Sequence, residues 1–119
     1  MSIKERFKRK RDQLVINQVA RAKLPEFADG EIIRTRVVFE GRVQKVGFRL
    51  EVEELAKRLG LTGHCENLDS GAVRAELQGP VNRIEFLIDF MHSLKRIKIT
   101  NMSREMLEII PEESGFVTG

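Results

Sequence analysis

The sequence predicts an α+β fold: strands and helices in the order β-α-β-β-α-β, giving an antiparallel sheet with two helices on one face. Three observations carry that expectation. Phe48 to Leu59 and Val81 to Leu94 repeat apolar residues at helical spacing. Short runs rich in β-branched residues surround and separate these two segments. The charge is also divided. Residues 1–30 hold eight Lys/Arg against four acids, a net of +4, while the rest holds 13 basic and 14 acidic residues, a net of −1. A near-neutral domain over residues 31–119 is therefore expected behind a basic helical extension over residues 1–30.

The extension reads as a helix over residues 2–23. Ser2 is its expected cap, with Glu5 three residues on as a capping box. Ile3, Phe7, Leu14, Val15, Val19 and Ala22 fall loosely on one face, and Pro25 with Asp29-Gly30 ends the segment. Two roles are open to it. It packs its apolar stripe on the domain or on a second copy of the chain. Alternatively, Lys8-Arg9-Lys10-Arg11 tethers the protein to a polyanion, an anionic membrane surface or a partner.

Ile32 to Phe39 is the first strand, mostly apolar and rich in strand formers. Phe48, Val52, Leu55, Ala56 and Leu59 then line one face of a helix whose other face is charged, and Gly60 is its expected C-terminal cap. Leu61 to Asn67 and Ala72 to Gln78 form a hairpin around Asp69-Ser70-Gly71. In its second arm Val73, Ala75 and Leu77 alternate with Arg74, Glu76 and Gln78, so one face is buried and the other wet. Pro80 opens the second helix, with Ile84, Leu87, Ile88 and Met91 on one face. Ile97 to Met102 and Met106 to Ile110 supply further strand material, and Phe116-Val117 a short terminal strand. This order is the ferredoxin-like split βαβ arrangement.

A chain of 119 residues suits one core without staples. One cysteine, Cys65, and two distant histidines, His64 and His92, offer neither a disulfide framework nor a zinc site. No apolar run approaches the roughly eighteen residues of a membrane span. The expected setting is the cytoplasm, with no metal and no cofactor.

The most informative segment is Gly41-Arg42-Val43-Gln44-Lys45-Val46-Gly47-Phe48-Arg49, which leads from the first strand into the first domain helix. Backbone N–H groups of such a loop and of the first helical turn lack intrachain partners and point one way. With the helix dipole behind them they suit an anion, and an arginine adds a rigid fork of donors. By itself the segment is equally an ordinary turn with a solvated arginine.

Downstream residues extend the pattern: Gly60-Leu61-Thr62-Gly63-His64-Cys65-Glu66-Asn67, then Asp69-Ser70-Gly71-Ala72-Val73, then Gln78-Gly79-Pro80. Together these residues resemble the acylphosphatase family, whose pattern is a G-x-V-Q-G-V-x-F-R loop and, past one helix, a G-L-x-G-x-V-x-N strand followed by a D-G-type turn. The resemblance covers Gly41 to Gly79 in motif, order and spacing, and element order out to about Phe116. It implies the same ferredoxin-like fold and a metal-independent hydrolysis of small acyl phosphates. It also implies that Arg49 binds the phosphoryl group and that Asn67 orients the attacking water. The loop residues Arg42, Val43, Gln44, Lys45, Val46, Gly47 and Phe48 would cradle the phosphate. Gln44 either donates to substrate or fastens the loop.

Two departures stand out. Lys45 replaces a glycine of the pattern; a left-handed backbone there would cost a lysine on the order of 1–2 kcal/mol. His64 replaces an aromatic residue and reads as a surface strand position, with a general-base role as the minor alternative. A second function fits the same residues: a catalytically weak module that binds phosphorylated ligands or a partner. An RNA-binding reading fares poorly, because Ala72 to Gln78 has no aromatic residue for base stacking.

Overall fold

The computed structural model describes residues 1–119. Its elements are α1 (Ile3–Arg21), β1 (Ile32–Arg42), α2 (Phe48–Leu59), β2 (Thr62–Asn67), β3 (Val73–Pro80), α3 (Val81–Ser93), β4 (Lys98–Leu107) and β5 (Phe116–Thr118). One five-stranded sheet has the order β4-β1-β3-β2-β5. Its pairings are antiparallel except for β5, which runs parallel to β2. The expected ferredoxin-like fold is thus present, with a mixed rather than purely antiparallel sheet.

The register brings three strand ends to one edge. Phe39 of β1 and Asn67 of β2 both lie opposite Val73 of β3. Because each is antiparallel to β3, β1 and β2 point the same way, and whatever follows them emerges side by side. The parallel strand β5 adds its own end there, with Thr118 opposite Cys65. Residues far apart in sequence therefore meet at the carboxyl ends of β1, β2 and β5.

Packing holds this edge from beneath. Phe39, Val52, Leu55, Leu59, Cys65, Leu77, Ile84, Leu87 and Met91 are fully buried between sheet and helices. The rings of Phe39 and Phe48 meet with centroids 4.9 Å apart, anchoring both ends of the connection between β1 and α2. Such an aromatic pair contributes about 1 kcal/mol beyond its area burial. Gly60 closes α2 in the left-handed conformation (φ 70°), as expected of a C-terminal glycine.

The open face of the sheet is polar and tied down. Arg34, 2% exposed, binds Glu113 at 2.7 Å and Glu76 at 3.1 Å. Gln78 exchanges hydrogen bonds with the Ile110 backbone at 2.9 and 2.8 Å, and Thr62 Oγ1 donates to Glu113 at 2.7 Å. These contacts lay the chain after β4 across the sheet and deliver it to β5. They also explain why Gln78, expected on a wet face, is buried. His64 sits on this face, 3.9 Å from Glu76.

Three expectations need correction. The two strands expected at Ile97–Met102 and Met106–Ile110 are one strand, Lys98–Leu107. Ser103 and Glu105 interrupt the apolar pattern but not the ladder, since Glu105 faces water and binds Arg36 at 3.1 Å. In α1 only Val15 and Val19 are buried, while Ile3, Phe7 and Leu14 are 66–70% exposed. The apolar stripe fails because the helix leans on the domain only through its second half. Of the capping box, the Ser2 half forms: the Glu5 N–H donates to Ser2 Oγ at 3.1 Å.

Candidate active site

At the shared edge lies a pocket of about 360 Å³ lined by Val43, Lys45, Gly47, Phe48, Arg49, Asn67 and Thr118, with Lys8, Arg11 and Asp12 from α1. The two residues that the sequence paired, Arg49 and Asn67, therefore share one cavity. A larger groove of about 820 Å³ between α1 and the end of α3 contains neither of them.

The loop leaves its backbone donors without backbone partners. None of the backbone hydrogen bonds outside regular elements is donated by an N–H between Val43 and Leu50. Gly47, at φ 80°, turns the chain into α2 and has no side chain to cap it. The positive φ favours glycine, and a Cβ there would also crowd Val15 Cγ2 of α1 at 3.0 Å. Lys45 is the one non-glycine residue with positive φ, at 63°. The left-handed conformation that a glycine would supply is thus retained at lysine, and Arg11 Nη1 donates to the Lys45 carbonyl at 3.0 Å.

Arg49 opens α2 at the mouth of the pocket and gives one Nη1–H to the Gly119 carbonyl at 2.9 Å. No Asp or Glu side chain pairs with it, which leaves the rest of its fork free for anion oxygens. Asn67 is exposed at the end of β2. The adjacent hairpin is held instead by Leu68 N–H to Ala72 O at 2.8 Å and Ala72 N–H to Ser70 Oγ at 3.3 Å. The Asn67 carboxamide is thus not consumed in the turn, the commonplace role for asparagine there.

Gln44 fastens the loop: its Nε2 donates to Leu68 O at 2.8 Å and Ala72 O at 2.9 Å. The cradle is thereby riveted to the hairpin that carries Asn67. Arg42 ends β1 opposite Lys98 and does not line the pocket; nor do Gln44 and Val46. The Val46 carbonyl is held by Arg96 Nε at 2.8 Å, and the same guanidinium pairs with Glu51 and with Gln18 of α1.

Glu51 is fully buried, and its Oε2 has no partner. Burial pushes its carboxyl above the ordinary range, against the pull of Arg96. Burial likewise pushes the Cys65 thiol up to about 12, so it is a small core residue and no nucleophile. His64 lies on the opposite face of the sheet and does not line the pocket.

The sequence reading missed Lys8, Arg11 and Asp12, along with the Glu51–Arg96 brace. A signal for the first group existed. Lys4, Lys8 and Arg11 continue, at helical spacing, the stripe that becomes buried at Val15 and Val19. Nothing in the local sequence around Arg96 points to Glu51. No three His, Cys, Asp or Glu residues are grouped to hold a metal ion.

Fold and site thus define a ferredoxin-like domain with an arginine-bearing loop at the carboxyl edge of its sheet. The Acylphosphatase family model matches residues 35–118. An acylphosphatase of Clostridium beijerinckii is 34% identical over 89 residues, covering 71% of this chain and 96% of the relative. One of Geobacillus thermodenitrificans is 36% identical over 84 residues, covering 70% and 89%. Among solved structures, an acylphosphatase from Bacillus subtilis superposes with a TM-score of 0.68 at 27% identity, over 75% of this chain and 99% of its own. The chain belongs to the acylphosphatase family.

Proposed function

We propose that the protein hydrolyses the carboxyl-phosphate bond of small acyl phosphates, with Arg49 holding the phosphoryl group and Asn67 aiming the attacking water. The observation that carries this reading is the shared pocket: Arg49 and Asn67 line one space together with Val43, Lys45, Gly47 and Phe48 of a loop whose backbone N–H groups have no backbone partner. Val43, Lys45, Gly47 and Phe48 line the cradle, while Arg42, Gln44 and Val46 act from outside it.

The chemistry asks little else of the protein. Water attacks phosphorus in line, the bond from phosphorus to the acyl oxygen breaks, and its electron pair leaves on the carboxylate. Acyl phosphate dianion and water become carboxylate and dihydrogen phosphate, so charge balances without an external base. The carboxylate is a stable leaving group. Rate enhancement then comes from positioning the water and from fixed dipoles and cations around the equatorial oxygens. Neither a nucleophilic side chain nor a metal or cofactor is called upon.

On this reading residues 31–119 form the catalytic domain and residues 1–30 an extension that borders its site. The extension's contact with a polyanion, or its self-association, belongs to the same reading of its basic face. No helix is long and apolar enough to cross a membrane. With its free buried thiol and small charged substrate, the protein is assigned here to the cytoplasm.

Benzoyl phosphate hydrolysis tests the assignment. The unmodified chain should turn it over, and Arg49→Ala and Asn67→Ala should each lower kcat by roughly a hundredfold or more, with circular dichroism unchanged. An unimpaired Asn67→Ala variant would remove the water-orienting role. Phosphate binding without any turnover would instead favour the binding module.

A further inference from the structure

Next to the cradle lies a second depression of about 560 Å³, lined by Lys4, Glu5, Phe7, Lys8, Arg11 and Lys45. It shares Lys8, Arg11 and Lys45 with the pocket of Arg49 and Asn67, so the two spaces are contiguous. Their charge is lopsided. Within the cradle pocket Asp12 is already paired with Arg11 at 3.2 Å, and Glu53 with Lys57 at 3.4 Å. Lys4, Lys8 and Lys45 form no ion pair. Glu5 is the one carboxylate lining the depression, so even with a phosphoryl dianion bound by Arg49 and the loop amides the three ammonium groups outnumber it.

The depression adjoins the cradle where α1 crosses the loop at Gly47 and Lys45, and it offers contiguous space for the acyl end of a bound acyl phosphate. Val15 seats the helix there and the Arg11 bond to Lys45 fixes its rotation, so Lys8 and Lys4 project along the same side one and two turns before Arg11. We infer that this groove receives the acyl group, and that the preferred substrates are acyl phosphates whose acyl portion carries a second anionic group. The inference rests on the cradle being the phosphoryl site. It gives the basic extension a direct role in substrate choice, one that needs neither a nucleic acid nor a membrane.

The test compares benzoyl phosphate with 3- and 4-carboxybenzoyl phosphate, whose rigid rings prevent cyclisation. With the full chain at low salt, at least one carboxylated substrate should show a kcat/KM about three- to tenfold higher, the scale of one or two partly exposed ion pairs. That ratio should fall towards one at high salt and in the Lys4→Ala, Lys8→Ala double variant. It should survive Lys8→Arg. Equal kcat/KM for all three substrates, or a uniform loss in the double variant with the ratio intact, would overturn the inference.

A second arm does not depend on turnover. By titration calorimetry 4-carboxybenzylphosphonate should bind more tightly than benzylphosphonate by a similar factor, and lose the advantage in the double variant. Absence of turnover on every substrate defeats the proposed activity, while the phosphonate pair still decides the groove. Equal phosphonate affinities defeat the groove alone.

Discussion

Arg11 and Lys45 are 34 residues apart in sequence, yet the guanidinium of one donates to the carbonyl of the other at 3.0 Å. Lys45 holds a backbone conformation (φ 63°) that costs a lysine on the order of 1–2 kcal/mol. The bond comes from outside the loop and opposes relaxation of that strain. An extension that the family model does not include has thus become a support for the loop at the centre of the candidate site.

Arg11→Ala is accordingly expected to lower benzoyl phosphate kcat/KM by about tenfold, the scale of one hydrogen bond from a charged donor. In a Lys45→Gly background the same substitution should cost much less, because glycine holds the left-handed conformation unaided. Lys45→Gly by itself should raise the thermal midpoint by a few degrees. Equal losses in both backgrounds would show that Arg11 does not act through Lys45.

Gln44→Ala should uncouple the cradle from the hairpin. It leaves the Leu68 and Ala72 carbonyls without their side-chain donor, at a cost of about 1–2 kcal/mol. Because Asn67 follows the hairpin, kcat should fall more than KM rises. A change in stability alone, with kcat intact, would limit Gln44 to a fastening role.

Arg96→Ala removes the only partner of a buried carboxylate, Glu51, and frees the Val46 carbonyl. A loss of about 3 kcal/mol follows from leaving that charge unpaired. Adding Glu51→Gln should restore part of it, since the lone carboxylate is then gone. Chemical denaturation of the two single variants and the double variant measures the coupling.

The acid limb of stability has a defined origin. Burial raises the carboxyls of Glu76 and Glu113, but hydrogen bonds from Arg36 and Arg34 to the first, and from Arg34 and Thr62 to the second, outweigh it and hold both below the ordinary 4.5. A depressed folded value means stability that is present above 4.5 and is lost as pH falls through the folded values. Glu51 has the opposite sign: its raised carboxyl favours the folded state below 4.5 and loses that advantage as pH rises through its folded value. Glu113→Gln should therefore flatten the fall in melting temperature below about pH 4.5, and Glu51→Gln should flatten a rise in stability on mild acidification. Unchanged pH profiles would remove these groups from the account.

Fold and site were legible where the information is local. The helical spacing of Phe48 to Leu59, the Asp69-Ser70-Gly71 turn and the cradle loop all state their structure within a few residues. The pairing of Arg49 with Asn67 was legible through the family's spacing, and register explains why that spacing works: the ladders of β1 and β2 to β3 both end at Val73. What stayed hidden depends on docking between distant elements. Whether Phe7 or Val15 meets the domain is decided by how far α1 overhangs the sheet edge. Gln78 becomes buried only because the chain after β4 crosses above it. Lys8-Arg9-Lys10-Arg11 reads as a solvated run until Val15 finds its seat against Gly47.

The strand β5 is three residues long and lies at the edge of the sheet; beyond the buried Phe116 it is held by its ladder to β2 and by the Gly119 N–H to Cys65 O bond at 3.0 Å. A unit of that size separates from its neighbours far more often than the core unfolds. Each separation releases Arg49 from the Gly119 carbonyl while Phe39 and Phe48 stay packed. Amide exchange at Val117 and Thr118 should therefore be fast when exchange at Val52 and Leu55 is still slow. The orientation of the arginine fork then has a lifetime of its own, set by the breathing of a terminal strand rather than by the melting of the domain.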